Sequence, residues 1–377
     1  MVAIVYFLPA LACLVLHFGF RFSGDWTAYA WVFGCGEVTV GLLHWAFYRS
    51  FTSCREYLGS TVSSIHYEAP WTQIVIRYET RTDGKGRTYT VTRREYVYHP
   101  AKYYFKTTIG SRFATNSSFF QYVQHLWMVP VHPDRWYGAH IVGGVRTGSH
   151  YNFNDLGPVR SCDTRYWVPI TESHRYKNKI RCSNSIFKFE KISREEALEA
   201  GLVDYPPISD NDAPCILSRD FGVPQFADDL FRKFNAGIAP GRQMRLYIIL
   251  FNHERGIGTS EMQRAYWQGG NKNELVVCVG IDPSGSVHWA RAFSWADEQQ
   301  VEVEVARWLM DQKTLNWPAL FGWLQANIHR WKRKEFHDFD YIHVTLQLRH
   351  FLWLLFLSLL ENALLIYLIL QPLRKYF

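Results

Sequence analysis

Leu246-Tyr-Ile-Ile-Leu-Phe251 and Leu275-Val-Val-Cys-Val-Gly-Ile281 are two nearly unbroken apolar runs, with Thr259-Ser-Glu-Met-Gln-Arg-Ala-Tyr-Trp267 between them. Apolar runs rich in β-branched residues, with no polar alternation, suit strands buried on both faces. The intervening segment has helical spacing, so the stretch reads as a βαβ unit at the centre of a layered domain. Asp282-Pro-Ser-Gly285 is turn chemistry that sends Val287 to Trp295 back antiparallel, which makes the sheet mixed.

Working outward, a helix over about 225–236 carries Phe226, Leu230, Phe231 and Phe234 on one face and is expected to pack on that sheet. Two more helices are expected over about 297–313 and 317–334, the second capped by Asn316 with Pro318 in its first turn. Upstream, Tyr205-Pro-Pro-Ile-Ser-Asp-Asn-Asp-Ala-Pro214 excludes regular structure and marks a boundary. Before it, Thr72 to Glu79 and Thr88 to Thr92 alternate in the β manner about Asp83-Gly-Lys-Gly86, a hairpin signature. Ser193 followed by Glu196 is a capping-box signal, and with Gly201 as a stop it defines a short helix.

Both ends of the chain are apolar. Val2 to Phe20 has no preceding Lys or Arg and no cleavage site after it, and about Trp26 to Tyr48 follows a short polar link. Phe351 to Leu370 stands at the other end with a length that fits a bilayer core. The expected fold class is therefore an α+β membrane protein. Three transmembrane helices, two N-terminal and one C-terminal, bracket a β-rich subdomain and an α/β subdomain with a mixed sheet. The expected divisions are 1–49 for the helical hairpin, 50–217 for the β-rich part, 218–335 for the α/β part and 336–377 for a linker and the last helix.

Aromatic residues make up 17% of the chain, a usage that suits large cores and membrane interfaces alike. The net charge of +7 is dispersed, and its densest group, Arg330, Lys332, Arg333 and Lys334, precedes an apolar span. Such a group fits lipid headgroups better than nucleic acid, so lipids are expected partners and nucleic acid is not. Near the expected spans, Arg49, Arg55, Arg330, Lys332, Arg333, Lys334 and Arg349 lie on the soluble side, and Arg21, Arg374 and Lys375 on the other. That imbalance places the soluble region in the cytoplasm, beneath what is expected to be a bacterial inner membrane. The seven cysteines have no CxxC pair and no zinc spacing, and only Cys162 and Cys182 suggest a disulfide, conditional on export.

Residues 220 to 335 resemble the TPM-domain family of membrane-tethered α/β modules, through the layout around Tyr266-Trp267-Gln268-Gly269-Gly270-Asn271 and Asn273-Glu-Leu-Val276. The resemblance implies an extracytoplasmic, phosphatase-like module, against the charge count. The family's acidic ligand pattern has no residue-by-residue counterpart here.

Four sets of residues invite a functional reading. Glu37, His44, Glu361 and Asn362 lie in apolar spans, where ionisable and amide groups face a bundle interior, a partner or a water path. Gly34, Gly36 and Gly41 permit close helix approach, so Glu37 and Glu361 could share a proton or could serve assembly. The turn holding Asn271, Lys272 and Asn273 could bind an anion through its N–H groups, although a helix stop at Gly269 explains it more simply. His337, Asp338, Asp340 and His343 cluster without a standard metal spacing, and Gly138 to Arg146 mixes glycines with His140. No nucleophile elbow, P-loop or dinucleotide fingerprint occurs, so catalytic residues stay unassigned and whether the chain is an enzyme stays open, while no cofactor or metal is expected. The first functional expectation is a membrane-anchored interaction or assembly protein acting with a protein partner or as a homo-oligomer. The alternatives are a tethered hydrolase and a proton-coupled component using Glu37 and Glu361.

Overall fold

The computed structural model describes residues 2–20, 26–68, 70–127, 140–142, 145–147, 152–156, 164–180, 189–208, 213–297, 299–344 and 346–371. The chain opens with two short helices, α1 (Val2–Tyr6) and α2 (Leu8–Leu14), and a π turn over Val15–Gly19. Pro9 stands in the first turn of α2, where its missing N–H is harmless, and the helical run restarts there. A single helix, α3 (Trp26–Thr52), follows.

The β-rich stretch begins with the long β1 (Ser53–Glu68) and continues through a hairpin, β2 (Trp71–Thr82) and β3 (Thr88–His99). Next come β4 (Lys102–Thr107), β5 (Arg112–Thr115), helix α4 (Ser117–Trp127), the short pair β6 (His140–Val142) and β7 (Val145–Thr147), then β8 (Asn152–Leu156) and β9 (Pro169–Lys177). One sheet runs β5-β4-β1-β8 with β9 also on β1, whereas β2 and β3 pair only with each other. Val62, Ile65 and Phe105 meet Phe120, Val123 and Trp127 of α4 to form the core of this part. Helix α5 (Arg194–Glu199) then starts in the capping box of Ser193 and Glu196.

The α/β part holds a four-stranded sheet, β10 (Ile216–Ser218), β11 (Arg245–Asn252), β12 (Glu274–Ile281) and β13 (Val287–Ser294), in that order. The first three strands are parallel and β13 is antiparallel to β12, so the sheet is mixed. Every residue of β12 is buried, as a strand covered on both faces requires. Leu246, Ile248, Leu250, Val277 and Val279 face one layer, made by α6 (Gln225–Lys233), α8 (Gln300–Gln312) and α9 (Trp317–Asn327). Tyr247, Ile249, Phe251, Val276 and Cys278 face the other, where α5 and the end of α7 (Gly258–Tyr266) pack. The chain closes in α10 (Leu348–Leu370).

Contacts divide the chain into two units, one of 1–56, 174–190 and 335–377, the other of 57–173 and 191–334. The second holds both the β-rich and the α/β parts, locked by close approaches. A Cβ on Gly59 would lie 2.0 Å from the Asn235 carbonyl oxygen, and one on Gly237 would lie 1.9 Å from the Trp167 ring.

The expectation of three membrane-spanning helices is overturned. Among the described residues one helix, Leu348–Leu370, is long and apolar enough to cross a bilayer. The first run falls short because it is broken between α1 and α2, and its apolar helical stretch, Ala3–Gly19, is too short. Helix α3 has the length, at 27 residues, but Glu37, His44, Arg49 and its glycines and hydroxyl residues dilute its apolar character. Within their unit, α1, α2 and the π turn pack with α3 and α10 through Val5, Ala12, Leu16, Val32, Val40, Phe351 and Leu354.

Candidate functional site

At the carboxyl edge of the parallel strands, where α/β sheets place their ligands, β11 runs into His253 and β12 into Asp282. The antiparallel β13 brings His288 back to the same edge. The two imidazoles stack with centroids 4.0 Å apart and planes 24° apart. His288 Nε2 lies 3.2 Å from Asp282 Oδ2. The other Asp282 oxygen accepts from the Ser284 hydroxyl at 2.5 Å and from the Ser284 and Ser286 N–H groups at 2.8 and 2.9 Å. These donors, the Ser284 hydroxyl foremost, hold the carboxyl well below the usual range. His253 accepts the Trp289 indole N–H at its carbonyl, 3.1 Å away, while its Nδ1 is enclosed with no hydrogen-bond partner. Asp220 is occupied by Arg255, at 3.0 and 2.9 Å, and by the Asn252 N–H at 2.9 Å.

The Ser284 hydroxyl beside Asp282 is already engaged, since it donates to Asp282 and lies 2.9 Å from Ser286 Oγ. Burial pushes the Cys215 thiol up to about 11 and raises Cys278 as well, which keeps both protonated and inert. No group of three His, Cys, Asp or Glu side chains among the described residues is arranged to hold a metal.

The opposite edge holds the turn singled out in the sequence, and it is enclosed. Asn271, Lys272 and Asn273 are 6%, 8% and 0% exposed, which leaves their donors facing protein rather than solvent. Asn271 gives its N–H and its amide to the Glu274 carboxylate, both at 2.8 Å, and Asn273 donates to the Tyr57 carbonyl at 2.7 Å. Arg245 and Glu274, register partners at the heads of β11 and β12, are both buried. A directional chain joins them. Arg245 Nε donates to the Tyr247 hydroxyl at 2.8 Å, Tyr247 to Tyr205 at 3.4 Å, and Tyr205 to Glu274. Burial pushes Tyr247 up to about 12 against the pull of Arg245, and lifts Tyr205 well above its ordinary value, so both phenols stay protonated donors. Arg245 also reaches Thr171 at 3.3 Å, tying the β-rich part to the sheet.

In the helical unit, His44 Nδ1 lies 3.0 Å from the Tyr6 hydroxyl, and Glu37 is half-buried on the same helix. Asn362 donates to the Ser358 carbonyl at 2.7 Å, and its Oδ1 is buried without a partner, as is Oε2 of Glu361. A Cβ on Gly36 would lie 2.7 Å from Pro9, so the close approach there is to α2 rather than the one expected between α3 and α10, and Gly34 and Gly41 have nothing within 4 Å. The structure brings these residues into one bundle without joining Glu37 to Glu361 by any described hydrogen bond.

The basic residues before α10 have protein partners. Arg330 bonds Glu304 at 2.5 Å and also Asn327, Lys332 pairs with Asp297 at 3.0 Å, and Arg333 forms a backbone bridge with Ala296. Lys334 donates its N–H to the Trp295 carbonyl at 2.9 Å. His337 pairs with Asp338 at 3.1 Å, and Lys179 and Lys177 hold Asp340 below its ordinary value. Cys162, Cys182 and Gly143-Gly144 lie outside the described residues, as do the side chains of His140 and Arg146.

Among the described residues β6 packs against β2, and the β2–β3 ribbon carries a row of exposed tyrosines. Its strands pair residue for residue from Trp71↔His99 to Thr82↔Thr88, a length of about 40 Å at 3.3 Å per residue. One face is laced with polar pairs, Gln73 to His99 at 2.8 Å and Arg77 to Glu95 at 2.8 Å. The register puts Ile74 opposite Tyr96, Ile76 opposite Arg94 and Thr72 opposite Tyr98 on the other face. Tyr78, Tyr96 and Tyr98 there are 69%, 65% and 66% exposed. The sequence signalled the hairpin but not this exposure. The stacked histidines also went unread, although His253 directly after an apolar run and Asp282 at a strand end were signals that could have pointed to them.

Comparison with protein-family models, with curated proteins and with solved structures returns no match for this chain.

Proposed function

We propose that the chain is a membrane-anchored interaction protein, held in the bilayer by α10, which engages a partner protein through the Ile/Tyr face of the β2–β3 ribbon. The exposure of that face carries the reading. A two-stranded ribbon is marginally stable by itself, and a face that exposes Tyr78, Tyr96 and Tyr98 together, with the Arg77–Glu95 ion pair on the reverse, has the composition of a contact surface. Tyrosines supply large amphipathic area at low entropic cost and recur as interface anchors. A photo-crosslinking residue at Tyr96 in the native membrane is expected to capture a partner, and replacing Tyr78, Tyr96 and Tyr98 together by Ser to abolish capture with little loss of stability. A chain that stays monomeric and uncrosslinked at this position sinks the reading.

A membrane-tethered hydrolase, phosphatase-like as the TPM resemblance implies, is the second reading. It is supported by His253, His288 and Asp282 at the strand edge where such sites form. The solubilised full-length chain would then turn over generic phosphate esters, and His288→Ala would lower that rate about 100-fold or more. Equal rates in the variant would assign the turnover elsewhere.

A further inference from the structure

A cleft of about 460 Å³ opens in the larger unit between α4, the 165–169 segment and α6. Its construction follows from helical spacing. Helix α4 commits Phe120, Val123 and Trp127 to the core and so turns Phe119, Tyr122 and Leu126, at i, i+3 and i+7, toward the cleft. Likewise α6 buries Ala227 and Phe231 and presents Asp229, Arg232 and Lys233.

The walls are fixed before any ligand arrives. The Trp127 indole donates to the Tyr166 carbonyl at 2.8 Å, which pins the 165–169 segment to α4. Trp167 lies against Gly237 so closely that no Cβ would fit. Arg232 is anchored from behind by the buried Asp228 at 2.6 Å, and Asp228 is itself held by the N–H groups of Cys215 and Ile216 at 2.8 and 3.1 Å. Asp229, the acidic residue of the lining, accepts from Gln225 at 2.9 Å. Arg165 and Lys233 complete the rim, so three cations stand against two carboxylates, Asp228 behind Arg232 and Asp229 in the lining, beside an aromatic wall.

We propose that this cleft binds a small anion carrying a flat aromatic ring. Trp167, Tyr122 and Phe119 offer the ring a stacking wall, while Lys233, Arg165 and Arg232 take the anionic group through charge-assisted hydrogen bonds. The volume suits one ring system with its charged substituent, within the range of small-molecule pockets. The site is distinct from the ribbon face and stands or falls without it.

The test is calorimetric titration of the full-length, detergent-solubilised chain with naphthalene-2-sulfonate, a permanent aromatic anion. The comparison ligands are naphthalene-2-methanol for the ring alone and inorganic sulfate for the charge alone. The sulfonate is expected to bind with a sub-millimolar dissociation constant and both comparison ligands at least about tenfold more weakly. Lys233→Ala and, separately, Tyr122→Ser, both at surface positions the core does not need, should each weaken the sulfonate about tenfold, the value of one charged or stacking contact. Partition into detergent is common to wild type and variants, so the difference isolates the cleft. Sulfate binding as tightly as the sulfonate overturns the aromatic half of the proposal. Affinity unchanged in both variants, or no saturable heat at millimolar ligand, overturns the whole.

Discussion

Glu302 is 8% exposed on α8, and its Oε1 is buried with no partner. Burial pushes its carboxyl up to about 7, with Arg264 and the Ser294 N–H pulling the other way. The folded state therefore keeps a proton that the unfolded chain releases near its ordinary carboxyl value. Stability is fully present below that value, falls as pH rises toward 7, and is then level. The loss amounts to about 1–3 kcal/mol. Denaturant midpoints measured from pH 4.5 to 8 should show this decline in the wild type and not in Glu302→Gln, which should be the more stable protein at pH 8. A parallel decline in both would assign the pH dependence to other groups. At this scale the sequence is a partial guide. The capping pair Ser193 and Glu196 is local and was legible, and both of its hydrogen bonds are present. The Arg245-to-Glu274 chain was not, because Tyr205 and Tyr247 reach it from positions 42 residues apart.

Among elements, those with one strong periodic signal were readable. The apolar runs became β11 and β12, buried over their length, and the hairpin about Asp83 to Gly86 became β2 and β3. Ends were less so. The helix expected to about 334 stops at Asn327 and tightens to a 3-10 turn over Ile328–Arg330, after which Lys332 and Lys334 hold the chain to Asp297 and Trp295. The helical hairpin failed on composition: α3 buries Val32, Gly36 and Val40 and exposes Trp31, Val38, Leu42 and Trp45, but its polar, glycine and hydroxyl residues lower its hydropathy below that of a span. Its Glu37 and His44 belong to a packed bundle, where a half-buried polar residue is tolerable without any transport role. The enclosure of Asn271 to Asn273 has another cause. A Gly-rich turn reads as a ligand loop or as a helix stop, and the decision rests on what the rest of the chain lays over it. Here that cover includes Tyr57 and Tyr205.

For the whole molecule, the proposal that α10 is the anchor reduces sidedness to a question about one span, the one helix among the described residues long and apolar enough to cross a bilayer. Before α10 and at its first turn stand Arg330, Lys332, Arg333, Lys334 and Arg349, and just after it Arg374 and Lys375. Positive charge flanking a span is retained on the cytoplasmic side. The partners that Arg330 and Lys332 have in the folded chain do not weaken this, because orientation is chosen during insertion and before those ion pairs exist. The body of the protein is therefore expected in the cytoplasm with the C-terminus across the membrane. A C-terminal fusion to a reporter active only outside the cytoplasm should be active, and one active only inside should be silent. Exchanging the charge bias, by replacing Lys332, Arg333 and Lys334 with Gln and adding three lysines after Lys375, should reverse both readings. If instead the unmodified C-terminus reports from the cytoplasm, the body is exported. The extracytoplasmic setting that the TPM resemblance implies would then gain weight, and the ribbon's partner would have to be sought outside the cell membrane rather than beneath it.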